Sequence, residues 1–148
     1  MYRHILIATD GSSLAGHAVT HGLALAKALG ARVKVVTVTE LWSATEMASQ
    51  AAIGKLRPTD EYEAKEHALA MKILESAKHA AEIAGVPCET LHVADMHPAE
   101  GIVSAAVEHG CDLIVMASHG RRGLERLVLG SQASAVLARS KAPVLICR

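Results

Sequence analysis

The sequence predicts an α/β fold: an open, mostly parallel sheet of five strands with helices on both faces. Two patterns point to it. Short apolar runs recur along the chain, several of them continuous rather than alternating, as strands buried on both faces require. Between them lie segments of helical periodicity, and that alternation implies parallel crossovers. Length agrees. A chain of 148 residues makes one domain, residues 1–148, and buries roughly 68–70% of its unfolded surface without disulfides or metal.

Strand one is His4 to Ala8, closed by the polar Asp10-Gly11. Ser13 to Leu29, rich in Ala and Leu, reads as a helix that stops at Gly30, a natural C′ residue. Val33 to Val38 is strand two. Residues 40–59, with Trp42, Met47, Gly54 and Pro58, read as a loop holding a short helix. Asp60 is placed to cap a long helix running to about Ala84, with Pro58 before it and Gly85 after it. Its Leu69, Ile73, Ala77 and Ala80 recur at helical spacing as a buried stripe. Cys88 to Val93 is strand three. Pro98 to His109 is a helix, with Pro98 near its start and Gly110 beyond its end. Asp112 to Ala117 is strand four, Ser131 to Arg139 the last helix, and Pro143 to Cys147 strand five.

Composition excludes several classes. Lys plus Arg is 15 and Asp plus Glu is 15, so no bulk charge draws the chain to nucleic acid or to an acidic membrane. Aromatic residues are 2%, with no Phe. The core is therefore aliphatic, and the aromatic platforms on which single-stranded bases stack are missing. No apolar run approaches the ~20 residues of a membrane span. The chain reaches Asp10 too early for a signal-peptide core, so it reads as cytoplasmic. Cys88, Cys111 and Cys147 form no C-x-x-C pair and read as reduced, buried small hydrophobes. The alternative for Cys147 is a bridge across a dimer.

The segment from Ala117 to Gln132 concentrates the chemistry. It leaves strand four, turns at Gly120, and enters the last helix at Gly130-Ser131; nine residues separate the two glycines. A helix N-terminus offers unpaired N–H groups and partial positive charge, which favour phosphate. Gly130 admits an anion close to the backbone, the Ser131 hydroxyl adds a donor, and Arg121, Arg122 and Arg126 supply cations. The plain alternative is two turn glycines and an N-cap serine. An acidic side chain such as Asp10, at the end of strand one, can accept from ribose hydroxyls; the commoner use of Asp there, and the one local context favours, is to open the first helix or its turn. In doubly wound sheets ligands bind where the winding reverses, which lies between strands one and four if the order is 3-2-1-4-5.

Three other patterns carry less. Gly11 to Gly16 has the glycine spacing of a phosphate loop, but His17 stands where Lys is required. Ser118-His119 suggests a nucleophile and base, yet Met116 breaks the elbow pattern and neighbouring strand side chains are expected to point apart. His17 with His21, and His92 with His97 and Asp95, have metal-like spacing without a completing ligand, so no metal site is assigned. Glu61, Glu63, Lys65 and Glu66 read as the solvated face of the long helix.

The opening Ile5-Leu6-Ile7-Ala8-Thr9-Asp10-Gly11-Ser12 resembles the start of universal stress proteins. So do Ile114 to Gly120, Leu129-Gly130-Ser131 and Ala142-Pro143-Val144-Leu145, in the same order over essentially the whole chain. The resemblance implies a Rossmann-like nucleotide-binding fold with strand order 3-2-1-4-5. ATP-binding members carry Gly-x-x-Gly, nine residues, then Gly and Ser or Thr. Gly120, Gly130 and Ser131 match, while Ala117 replaces the first glycine. If that position needs positive φ or close backbone approach, Ala costs on the order of 1 kcal/mol or more; with ordinary strand φ the methyl is harmless. The resemblance further implies that Asp10 meets the ribose and Val38 backbone the adenine. Met116 and Ala117 would line the base and sugar side, Gly120, Gly130, Ser131 and Gln132 would hold phosphates, and Ala8, Thr9, His119 and Arg121 would also border the nucleotide. It implies a homodimer through Pro143 to Cys147.

The function expected on this basis is a dimeric stress-response factor that binds ATP, with Mg²⁺ held through the phosphates and hydrolysis slow or absent. No residue is assigned a catalytic role, since no motif residue is an obvious base for water. The rivals are a nucleotide-free interaction module of the same fold, which Ala117 keeps open, and a nucleotide hydrolase.

Overall fold

The computed structural model describes residues 1–40, 48–49, 51–54, 58–120 and 128–148. Among them run five strands and four long helices: β1 (His4–Ala8), α1 (Ser13–Leu29), β2 (Arg32–Val38), α2 (Pro58–Ala84), β3 (Cys88–Val93), α3 (Pro98–Glu108), β4 (Leu113–Ala117), α4 (Ser131–Arg139) and β5 (Val144–Cys147). The sheet is parallel throughout, in the order β3-β2-β1-β4-β5. The winding reverses between β1 and β4, as expected for a doubly wound sheet.

Both faces of the sheet are buried. Ile5, Ile7, Val33, Val35 and Val115 pack under α1 and α2, against Ala18, Leu23, Leu74 and Ala81. Leu6, Ala8, Val36, Ile114 and Met116 pack under α3 and α4, against Ile102, Ala106, Ala133 and Val136. Each fully buried branched side chain is worth roughly 1.5–3 kcal/mol. Small residues on the helices let them approach closely. A Cβ at Gly101 of α3 would stand 2.9 Å from both Val38 methyls, so this glycine seats α3 on the end of β2.

Local chemistry adjusts several expected boundaries. Asp112 precedes β4 rather than opening it, because its carboxylate accepts from the backbone N–H groups of Arg3 (2.8 Å) and His4 (3.1 Å). Asp60 is not the N-cap residue of α2. The helix begins at Pro58, whose missing N–H suits a first turn, and Asp60 lies inside that turn beside Glu61. The buried stripe of α2 is Ala70, Leu74, Ala77 and Ala81, with Leu69, Ile73 and Ala80 half-buried at its flank. Gly30 ends α1 in the left-handed conformation, φ 65°, and donates back to Ala26 and Lys27 carbonyls. Within the expected loop of residues 40–59, residues 48, 49, 51 and 52 are helical. Trp42 and Met47 lie outside the described residues. No described helix is long and apolar enough to cross a membrane.

Candidate functional site

The crevice at the reversal point is built from the ends of β1, β2 and β4 and the start of α4. β1 ends at Ala8, and Thr9 is held beside β2 by its N–H on the Val36 carbonyl (3.0 Å) and by the Thr37 hydroxyl donating to its own carbonyl. The chain then turns. Asp10 Oδ1 accepts from Ser12 N–H (2.9 Å) and Thr9 Oγ1 from Gly11 N–H (3.2 Å). Gly11 has φ 78°, a conformation that side chains disfavour. Ser12 caps α1 by accepting from Ala15 N–H. Asp10 therefore does open the turn, through one oxygen. Its Oδ2 points the other way, 2.7 Å from where a Cβ on Gly120 would stand.

β2 outruns β1. Thr39 spends both backbone groups on the β3 side, its N–H on Val93 (2.9 Å) and its carbonyl on Met96 (3.4 Å). In a parallel ladder successive residues face opposite neighbours. Val38 thus turns its N–H and carbonyl toward β1, which has already left the sheet.

β4 supplies the opposite wall. Met116 is buried on the α3–α4 face and Ala117 on the α1–α2 face. Ala117 pairs with Cys147 and has no left-handed backbone; Asp95 alone of the described non-glycine residues does. Of the two conditions attached to this position, the ordinary strand conformation applies, and the methyl sits in the core. Ser118 donates its N–H to the Cys147 carbonyl (2.8 Å) and accepts from Gly130 N–H (2.9 Å). A Cβ at Gly130 would lie 2.6 Å from the Ser118 carbonyl oxygen and 3.4 Å from the His119 ring. Gly130, with φ −60° and ψ 155°, is required here by close approach rather than by conformation.

Ser118 Oγ and His119 Nδ1 lie 3.0 Å apart, so these side chains do not point apart as expected. Ser118 is nonetheless buried, out of reach of a substrate. Gly130 is the N-cap of α4, and no side chain caps the helix. Its first turn, Ser131 to Ala133, therefore directs backbone N–H groups outward, the arrangement that favours an anion. Gln132 is differently engaged: its Oε1 accepts from Ala99 N–H (3.0 Å) at the start of α3. Arg121, Arg122 and Arg126 lie outside the described residues.

The remaining candidates are dispersed. His17 and His21 are exposed on α1. Among the described residues no three His, Cys, Asp or Glu side chains stand close enough to share an ion. The cysteines are unpaired; Cys111 and Cys147 are buried and Cys88 half-buried. Burial raises all three thiols, that of Cys111 to about 11. Sequence reasoning missed one pairing. His92 meets His67 of α2, with Nδ1 atoms 3.2 Å apart, rather than His97.

Comparison with known proteins agrees with this architecture. The family model described as the universal stress protein family matches residues 1–148. The chain is 34% identical to universal stress protein YxiE of Bacillus subtilis over 149 residues, covering 100% of both. It is similar to the solved structure of MJ0577 from Methanocaldococcus jannaschii, with TM-score 0.80, 28% identity and 99% and 96% of the two chains covered. It is also similar to a universal stress protein solved in complex with cAMP, with TM-score 0.68, 27% identity and coverage of 98% and 95%. With its whole length matched by one family and its strands wound in the same order, the chain belongs to the universal stress protein family.

Proposed function

We propose that the protein is a cytoplasmic stress-response regulator that binds an adenine nucleotide, ATP with Mg²⁺, in the crevice over β1 and β4. The observation that carries this reading is the convergence of three complementary groups. The outward-turned backbone of Val38 matches the donor and acceptor edge of adenine. The Asp10 carboxylate suits ribose hydroxyls. The uncapped amide end of α4, with the Ser131 hydroxyl, suits phosphates. A family member at 27% identity was solved with cAMP, which supports an adenine nucleotide as the class of ligand.

In this reading Ala8, Thr9, Met116 and Ala117 shape the walls through their backbone, and His119, Gly120 and Arg121 border the phosphates. Gln132 acts by its backbone N–H, since its side chain holds α3. Mg²⁺ rides on the phosphates. Asp10 is assigned to the ribose, and His119 Nδ1 is engaged with Ser118. We therefore assign the site to binding, with hydrolysis slow or absent. The protein acts as a homodimer through β5, one of the two edge strands of the sheet, and its flanking Pro143.

Calorimetry with ATP–Mg²⁺ tests the assignment. Asp10→Asn keeps the acceptor used by Ser12 but replaces the oxygen that faces Gly120. It should weaken binding about tenfold, as loss of a charged hydrogen bond does. Ser131→Ala should weaken binding severalfold. Equal affinity in folded samples of both variants would remove the site from this crevice.

A further inference from the structure

Beyond the carboxyl ends of β2 and β3, under the first turns of α2, lies a cleft of about 250 Å³. Its titratable lining includes His67, His92, Glu40, Glu63, Glu66 and Asp95. Every charged side chain among the described lining residues is a carboxylate. The two imidazoles face each other, Nδ1 to Nδ1 at 3.2 Å, with ring centroids 5.3 Å apart. His92 Nε2 lies 2.9 Å from Thr39 Oγ1. When that nitrogen carries the hydrogen and donates to Thr39, His92 turns a lone pair into the cleft. An oxygen holding the far ring nitrogen is the usual orienting contact of a metal-bound histidine.

The spacing also suits an ion. Two nitrogens each about 2.0–2.1 Å from one tetrahedral ion stand about 3.3–3.4 Å apart, close to the observed separation. Asp95 turns the chain at the rim in a left-handed conformation, φ 59°.

We propose that His67 and His92 form a two-imidazole site for a divalent transition ion of the Zn²⁺ or Co²⁺ class, completed by water and by one carboxylate of the cleft. The ion replaces the Nδ1–H···Nδ1 hydrogen bond. His67 moves its proton from Nδ1 to Nε2, so that both rings present Nδ1 lone pairs. Glu63, one helical turn before His67, Glu66 and Asp95 are carboxylates that line the cleft with the pair. None is yet gathered with the histidines, so one arrives by side-chain rotation. The site lies on the β2–β3 side of the sheet and does not depend on nucleotide binding over β1 and β4.

The test uses the untagged full chain, stripped of metal, titrated with Zn²⁺ alone by calorimetry and with Co²⁺ alone by visible absorption. One ion per chain with micromolar affinity is expected. His67→Ala and His92→Ala should each weaken it at least tenfold, and Thr39→Val about tenfold. The double variant His17→Ala/His21→Ala should leave it unchanged. Long-range proton–nitrogen spectra of the unmodified chain read the same site without any substitution: Zn²⁺ should drive both His67 and His92 to the Nε2–H tautomer. No saturable binding, tautomers that do not move, or binding that survives in folded His67→Ala/His92→Ala would overturn the assignment.

Discussion

A methyl group on Gly130 would press on the Ser118 carbonyl oxygen at 2.6 Å, and that oxygen already accepts the Gly130 N–H. The backbone there has no slack. Gly130→Ala should cost about 1–3 kcal/mol, as overpacking does, read as a lower urea midpoint at unchanged slope. Loss of nucleotide binding in that variant would mix two causes, which is why Ser131→Ala is the cleaner probe of the phosphate end. Ala117 behaves differently. Its methyl is buried in the α1–α2 core, so Ala117→Gly should cost about 0.5–1 kcal/mol and leave ATP affinity unchanged. A tighter ATP titration in that variant would show that the methyl obstructs. His4 supplies a pH prediction. Its Nδ1 is buried without a described partner, and its pKa is lowered by burial first and then by Arg32, against the His109 carbonyl that accepts from the ring. The unfolded chain therefore binds a proton that the folded chain resists. Stability is complete above about pH 6.5 and falls as pH drops below it. His4→Leu should flatten part of that slope in pH-dependent unfolding, leaving the part due to His92, whose pKa is lowered too; an unchanged slope would acquit His4.

At the scale of elements, the start of α3 depends on a neighbour. No side chain of α3 caps it; Gln132 of α4 does so from outside. Gln132→Ala should cost about 1 kcal/mol, a Tm shift of about 2–4 °C. β5 is one of the two edge strands, with Leu145 40% exposed. If two copies pair along that edge, Leu145→Arg should give a monomer by sedimentation; a dimer that persists would place the interface elsewhere. Element boundaries were legible because their signals are local: apolar runs, the glycines after α1, α2 and α3, and Pro98. The buried face of α2 was less legible, since Ala64, Ala68, Ala70, Ala77, Ala80 and Ala81 blur its periodicity, and contact with β2 and β3 chooses the stripe. Asp112 was misplaced because it has two local uses and only its contact with Arg3 and His4 chooses between them; Asp60 was misplaced because the helix already starts at Pro58. The approach of His67 to His92 is a product of the crossover, which no spacing encodes.

At the scale of the whole molecule, five parallel strands bring Asp10, Val38, Gly120 and Gly130 to one crevice, though they span more than a hundred positions in the sequence. Their convergence follows from the strand order, which the resemblance to universal stress proteins implied, whereas the β–α alternation alone implied only a mostly parallel sheet. The roles of Gly120 and Gly130 did not follow, because close approach to Asp10 and Ser118 is a three-dimensional fact. The measurement that bears most directly on the central claim is calorimetric titration of the nucleotide-stripped, unmodified protein with ATP–Mg²⁺. One site per chain with micromolar affinity is the predicted result. A folded protein that gives no heat and fails to displace a fluorescent adenine nucleotide would contradict it.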